Sequence, residues 1–356
     1  MPADFSLPTV PVTVVSGFLG SGKTTLIQNL LKSGRKIAVV QNEMGYESMG
    51  IESPVLTDGD GNVIGDILLE LPGGCLCCTI RDDLVTGLEA MLKKTNFDQI
   101  VIETSGVADP VKMVEILWLD SELETPLRLD STVTVVDSKN IASVLHGKGR
   151  TLAEGGSSRE AVRQICCADL VLLNKCDICE EGEIEVAKGV VSATNPDATV
   201  ELTEFSGQGD LERITAMVLD RQAYSGNTTA RSFELNAADL LPADTHVHVD
   251  HVVVYSNTRP KKAALERWLG TVLWGREEGN EVYRLKGLVE TSDEGWCAIQ
   301  GVGEIFEVVE VSIPVDPQTK SKILFVGTGP LDRDALQTGL DGCVEDVEDV
   351  EDDDDV

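Results

Sequence analysis

The sequence predicts an α/β protein whose parallel sheet carries helices on both faces, followed by a smaller α+β domain. Runs such as "PVTVVSG", "KIAVVQN" and "QIVIETSG" are β-branched and lack polar alternation, as strands buried on both faces do. Helical stretches separate several of these runs, and that alternation builds parallel sheets. After about residue 225 the order changes to runs of strands with one or two helices, an α+β pattern.

Taken in order, "PVTVVSG" is the first strand, and "KTTLIQNLLKSG" is a helix that stops at Gly34. "KIAVVQN" is the next strand. "IESPVLTDGDGNVIGDILLE" reads as a loop or small hairpin, and a helix is expected over residues 81–94. "QIVIETSG", "STVTVVDS", "ADLVLLNK" and "DATVEL" are further buried strands, with a helix over residues 160–167. This first domain is expected to span residues 1–225. Residues 226–245, polar and rich in small side chains, read as a linker. A second domain is expected over residues 246–341, built from "VDHVVVYS", the helix "KKAALERWLGTVLWG", "NEVYRLKGLVE", "WCAIQGVGEIFEVVE" and "KILFVGTG". Residues 342–356 hold "EDVEDVEDDDDV", a self-repelling acidic tail expected to be disordered.

Composition narrows the function classes. A formal charge of −32 argues against nucleic-acid and anionic-membrane partners. No apolar run has the length of a membrane span, and the start lacks the pattern of a signal peptide. The expected location is the cytoplasm, extending to the nucleus. Nine cysteines in 356 residues fall short of disulfide-scaffold density, so clustered thiols in a reducing compartment point to metal binding or reactivity.

"GFLGSGKT", residues 17–24, fits the phosphate-loop pattern G-x-x-x-x-G-K-[ST] and lies between a strand and a helix. Gly17, Gly20, Ser21 and Gly22 would turn backbone N–H groups toward phosphates at the positive end of the helix that carries Thr25. Lys23 would reach the β- and γ-phosphates, and Thr24 would ligate Mg²⁺. The chain therefore reads as a P-loop NTPase. Glu103, at the end of "QIVIE", can hold Mg²⁺ directly or through water, and Gly106 can bring an N–H to the γ-phosphate. Lys23 and Glu103 are the catalytic candidates. "NKCD" follows the strand "DLVLL". The Asp177 carboxylate can accept from guanine N1–H and the exocyclic amine, donors that adenine lacks. Asn174 can brace the loop, and the Lys175 stem can cover a purine face. GTP is the expected nucleotide.

"LPGGCLCCTI" places Cys75, Cys77 and Cys78 within four positions. They can supply two or three ligands to a soft ion such as Zn²⁺ or Cu(I), leaving a position for another ligand. Thr79 and Asp82 resemble a capping box, and a helix N-terminus there favours thiolates. Cys166 and Cys167 read as packed in a helix. Cys176 and Cys179 sit at the base loop and read as passengers. His246 and His248 share a strand face near His251, with no cysteine or acidic cluster alongside.

Together these residues resemble the CobW family of metal-handling GTPases. The phosphate loop, "GGCLCC", "ETSGVADP", "TVVDS" and "NKCD" appear in that family's order, and the resemblance continues through "LLPADTHVHVDHVVV", "LERWLGTVLW", "YRLKGLV" and "QGVGEIFEVVE". "VDSK" and "RLKGLV" look most like the eukaryotic branch, the zinc-regulated GTPase metalloprotein activators. The resemblance implies a CobW C-terminal-type second domain and GTP hydrolysis coupled to zinc transfer to a client metalloprotein. In that branch the client is a methionine aminopeptidase. Cys75, Cys77 and Cys78 match the family's metal cysteines, and Glu43 of "NEMG" matches its switch-loop glutamate. The chain departs from the family at Met44 and Tyr46. It also has "MPADFSLPTVPV" where that branch carries a C-P-E-L-V-P-like docking segment. The rival reading is a zinc buffer or sensor whose nucleotide site is regulatory or vestigial.

Overall fold

The computed structural model describes residues 9–42, 68–70, 88, 92, 96–106, 108–118, 127–145, 157–204, 211–233, 249–275 and 280–344. Glu43, Cys75, Cys77, Cys78, His246, His248 and the acidic segment beyond residue 344 lie outside the described residues. The helix expected over residues 81–94 is described only at Leu88 and Leu92, both helical. The chain divides into two compact units, Met1–Tyr224 with Leu241–Val247 and Ser225–Leu240 with His248–Val356.

Among the described residues the first unit contains seven strands: β1 (Val10–Ser16), β2 (Ile37–Asn42), β3 (Leu68–Glu70), β4 (Gln99–Thr104), β5 (Leu127–Asp137), β6 (Leu170–Asn174) and β7 (Thr199–Leu202). They form one sheet in the order β3-β2-β4-β1-β5-β6-β7, and every pairing is parallel. The segment expected to be a loop or hairpin ends instead in β3, an edge strand whose Leu68–Glu70 pair with Val39–Gln41. The helices whose bounds are described in this unit are α1 (Lys23–Leu31), α2 (Pro110–Trp118), α3 (Ile141–Leu145), α4 (Ser157–Cys166), α5 (Glu181–Thr194) and α6 (Leu211–Val218).

The strand period of two sorts side chains to opposite faces. Val15, Val101, Val133 and Val135 pack with Leu26, Ile27 and Leu30 of α1 and Ile214 and Val218 of α6. Val12, Val14, Ile100 and Ile102 pack with Leu88 and Met113 on the other face. Burying each such side chain contributes about 1.5–3 kcal/mol, which is why these strands contain no polar alternation. Asp130 of β5 is wholly buried and ties the sheet to the chain after α6. It accepts from the backbone amides of Arg221 and Gln222, each at 2.9 Å, and from Arg128 Nη1 at 3.1 Å.

β1 sits at mid-sheet, with β4 on one side and β5 on the other. Val15 lies opposite Glu103, and Ser16 opposite Thr134. The loops after β1 and its neighbours therefore open a crevice at the carboxyl ends of the strands, the usual ligand position in such sheets.

The second unit opens with α7 (Gly226–Ser232), inside the stretch expected to be linker. Gln300 donates to Thr229 of this helix, and Asn227 Oδ1 accepts from the Ser312 amide at 2.9 Å. β8 (Asp250–Tyr255), α8 (Lys262–Trp274), β9 (Val282–Thr291), β10 (Gly295–Val302), β11 (Ile305–Glu310), β12 (Lys322–Gly327) and α9 (Arg333–Asp341) follow. The five strands form an antiparallel sheet in the order β11-β10-β9-β12-β8. Leu265, Leu269 and Leu273 of α8 and Leu336 and Leu340 of α9 pack on Leu285, Ile299, Ile323 and Phe325. Asp332 caps α9, accepting from the amides of Asp334 and Ala335 at 2.9 and 3.0 Å. The buried cations Lys286 and Lys322 place their Nζ atoms 5.9 and 5.2 Å from the Phe233 ring centre. Among the described residues no helix is long and apolar enough to cross a membrane.

Candidate functional site: a phosphate loop braced by a base loop

The loop of residues 17–24 leaves β1 and enters α1 with no intervening spacer. Gly17 has φ +141°, and a Cβ there would collide with the Val135 carbonyl oxygen, so only glycine lets the loop start against β5. Lys23, 8% exposed, folds back along the loop. Its Nζ donates to the Gly17 carbonyl at 2.7 Å and the Phe18 carbonyl at 3.3 Å. Burial lowers its pKa, while the Glu103 carboxylate opposes that shift.

Thr24, in the first turn of α1, donates its Oγ1 to Glu103 Oε1 at 2.8 Å. A hydroxyl and a carboxylate thus meet at the head of the helix, an all-oxygen donor pair that suits a hard cation. Beyond Glu103 the chain turns at Gly106, where a Cβ would fall 2.6 Å from the Leu19 side chain and 2.8 Å from its backbone nitrogen. Gln164 of α4 holds this turn. Its Nε2 donates to the carbonyls of Gly106 at 3.2 Å and Ala108 at 3.1 Å. Its backbone carbonyl accepts from Thr134 Oγ1 at 2.7 Å, and Thr134 meets Ser16 Oγ at 2.8 Å. A continuous polar chain therefore links the 106–108 turn to the base of the phosphate loop.

The loop of residues 174–177, expected to hold the base, comes from the end of β6. Asn174, 3% exposed, donates Nδ2 to the Ser21 carbonyl at 2.7 Å. Lys175 sits in the left-handed region at φ 65°, and its Nζ pairs with Asp137 at 2.7 Å. Asp177 is exposed on the 3-10 turn Cys176–Ile178. Three buried polar atoms around these loops, Ser21 Oγ, Ser105 Oγ and Asn174 Oδ1, have no partner among the described residues. Orphaned polar atoms lining a glycine-rich loop fit a polar ligand held there.

The structure thus brings together Gly17, Gly20, Ser21, Gly22, Lys23, Thr24, Glu103, Gly106 and Asn174, with Lys175 and Asp177 at the adjoining loop. Thr25 follows Thr24 in the first turn of α1, and both are exposed. His251 is on β8 of the second unit, opposite Val326. Among the described residues no group of three or more His, Cys, Asp or Glu side chains could hold a metal. The Gln164 clamp and the Lys175–Asp137 pair went unread in the sequence. Gln164 carries a weak signal, a lone amide on a helix flanked by Ala161, Val162 and Ile165.

A model of the CobW/HypB/UreG nucleotide-binding domain matches residues 11–201, and one of the cobalamin synthesis protein cobW C-terminal domain matches residues 249–344. Zinc-regulated GTPase metalloprotein activator 1 of Schizosaccharomyces pombe is 31% identical over 338 residues, covering 87% of this chain and 79% of that protein. A zinc chaperone CobW of Pseudomonas aeruginosa is 30% identical over 327 residues, covering 85% of this chain and 83% of that protein. The Zn(II)-bound YjiA GTPase from E. coli shares the fold, with a TM-score of 0.68 at 22% identity over 95% of this chain and 100% of that one. With its phosphate loop, its braced base loop and matches to both domain models, the chain belongs to the CobW family.

Proposed function

We propose that the chain is a GTP-hydrolysing zinc metallochaperone that loads zinc at Cys75, Cys77 and Cys78 and transfers it to a client metalloenzyme. The observation that carries the hydrolase half is the 2.8 Å bond between Thr24 and Glu103 at the head of α1. Phosphates bound in the loop would draw the Lys23 ammonium from the carbonyls it now bonds. Thr24 and Glu103 would hold Mg²⁺, which supplies charge neutralisation to the β- and γ-phosphate oxygens when bound. Gly106 would offer its N–H to the γ-phosphate, and Asp177 would accept from guanine. The names of the S. pombe and P. aeruginosa relatives support zinc as the cargo. A methionine aminopeptidase is the client that the activator branch suggests.

The sequence supports coupling between the two halves. "NEMGYE" and "GGCLCC" lie between the phosphate loop and "ETSG", so loops ordered by the γ-phosphate can complete the zinc site. Zinc titrations with a non-hydrolysable GTP analogue, with GDP and without nucleotide test this. The analogue should raise zinc affinity by about 5- to 150-fold, and zinc should raise analogue affinity by the same factor. Replacing Cys75, Cys77 and Cys78 with Ser should abolish tight zinc binding and leave the fold intact. Superimposable zinc affinities combined with absent GTP turnover would favour the buffer or sensor reading instead.

A further inference from the structure

Cys176 and Cys179 flank Asp177 in a Cys-x-x-Cys turn. The Cys179 amide donates to the Cys176 carbonyl at 3.2 Å and closes that turn. Such a bond holds the two α-carbons within about 7 Å, the span a disulfide bridges. Neither thiol is fully buried, and each turns back onto the loop's own carbonyls. Cys176 Sγ donates to the Leu173 carbonyl at 3.2 Å and lies 3.6 Å from Ser138 Oγ. Cys179 Sγ donates to the Lys175 carbonyl at 3.3 Å. Burial raises the Cys179 pKa, and the Glu183 carboxylate and the Cys176 thiol raise it further. A metal reading lacks a third ligand among the described residues.

The geometry points to a reversible disulfide between Cys176 and Cys179 that weakens guanine-nucleotide binding. The inference rests on the proposed reading of residues 174–177 as the guanine loop. A small disulfide, glutathione disulfide, is the oxidant. One cysteine, as thiolate, attacks its S–S bond and releases one glutathione thiol. The second cysteine then attacks the mixed disulfide and releases the other. The two cysteine protons end on the two glutathione thiols, the protein pair loses two electrons, and the oxidant gains them. Closing the bond pulls Cys176 Sγ from Leu173 and Ser138 and Cys179 Sγ from Lys175. The Asp177 carboxylate is then carried on a small covalent ring, no longer on a turn free to fit the base.

Linkage makes the effect reciprocal: if the disulfide weakens GDP binding, GDP opposes the disulfide by the same factor. The test equilibrates the full chain in glutathione redox buffers with and without GDP. Free thiols are then alkylated, and the Cys176–Cys179 pair is read by mass spectrometry of the peptide that contains it. The expected result is a mapped intramolecular disulfide, GDP affinity lowered by about 5- to 150-fold, and an equal shift of the redox midpoint by GDP. The Cys179→Ser variant, compared with its own reduced state, should show no redox response in GDP affinity. Separate alkylation of both cysteines across the whole buffer range overturns the proposal. So does equal GDP affinity of the oxidised and reduced protein, or a redox response that survives in Cys179→Ser. A mapped disulfide in a protein that binds no guanine nucleotide when reduced would instead locate the failure in the functional reading.

Discussion

Asn174 donates its side-chain amide to the carbonyl oxygen of Ser21, 2.7 Å away, joining the base loop to the phosphate loop across 153 positions of sequence. Removing the donor leaves the Ser21 carbonyl short of a partner and frees the phosphate loop to relax. In Asn174→Ala, GTP and GDP affinities should fall together by about tenfold, the equivalent of one buried hydrogen bond. Titration with fluorescent GTP and GDP analogues checks this. A loss confined to one of the two nucleotides would show that the brace does not act through the phosphate loop.

Gln164 uses its amide on the carbonyls of Gly106 and Ala108, so on the proposed reading it positions the turn that would face the γ-phosphate. Gln164→Leu keeps most of the volume and removes the donors. GTP turnover should drop about tenfold in kcat with little change in KM, and the preference for a GTP analogue over GDP should shrink. If kcat and the preference for a GTP analogue over GDP both stay at wild-type values, the clamp is architectural only.

Lys23 gives a pH dependence with a definite sign. Burial depresses its pKa in the free protein, and phosphates bound in the loop favour the ammonium and raise it. Nucleotide binding should therefore take up a proton on the alkaline side. GDP affinity should be full below the free-protein pKa and should fall as pH rises through it. Calorimetry in two buffers of different ionisation enthalpy measures that uptake, and Lys23→Ala should abolish both the uptake and tight binding.

Asp130 predicts a stability effect separate from function. Replacing it with Ala leaves the amides of Arg221 and Gln222, just after α6, without their acceptor. The cost should be about 3 kcal/mol, lowering the melting temperature of the first unit by about 6–12 °C. Thermal unfolding followed by circular dichroism checks the value.

Much of this architecture is legible in the sequence because its strands are buried on both faces and read as continuous apolar runs. β1, β4 and β6 are of this kind. β3 was not legible, since three residues at a sheet edge carry too short a pattern. α9 was missed although Asp332 marks its cap, because its few apolar residues, Leu336 and Leu340 among them, make a narrow stripe. α7 was hidden for another reason. Its anchors are the polar residues Asn227 and Thr229, and their partners lie more than 70 residues away. At the site, glycine spacing and the N-K-x-D pattern are local signals. The Gln164 clamp and the Ser16–Thr134 contact exist only after distant strands come together.

The mid-sheet position of β1 sets a timetable for synthesis. It leaves the ribosome well before both of its neighbours, β4 and β5, which are encoded much later. At about 5–20 residues per second, Val12, Val14 and Val15 wait roughly 5–20 s for their first pairing partner. Throughout that interval the future phosphate loop hangs from an apolar strand with no sheet to join. Chaperone demand on the nascent chain should therefore peak before residue 99 emerges and fall once β4 can dock.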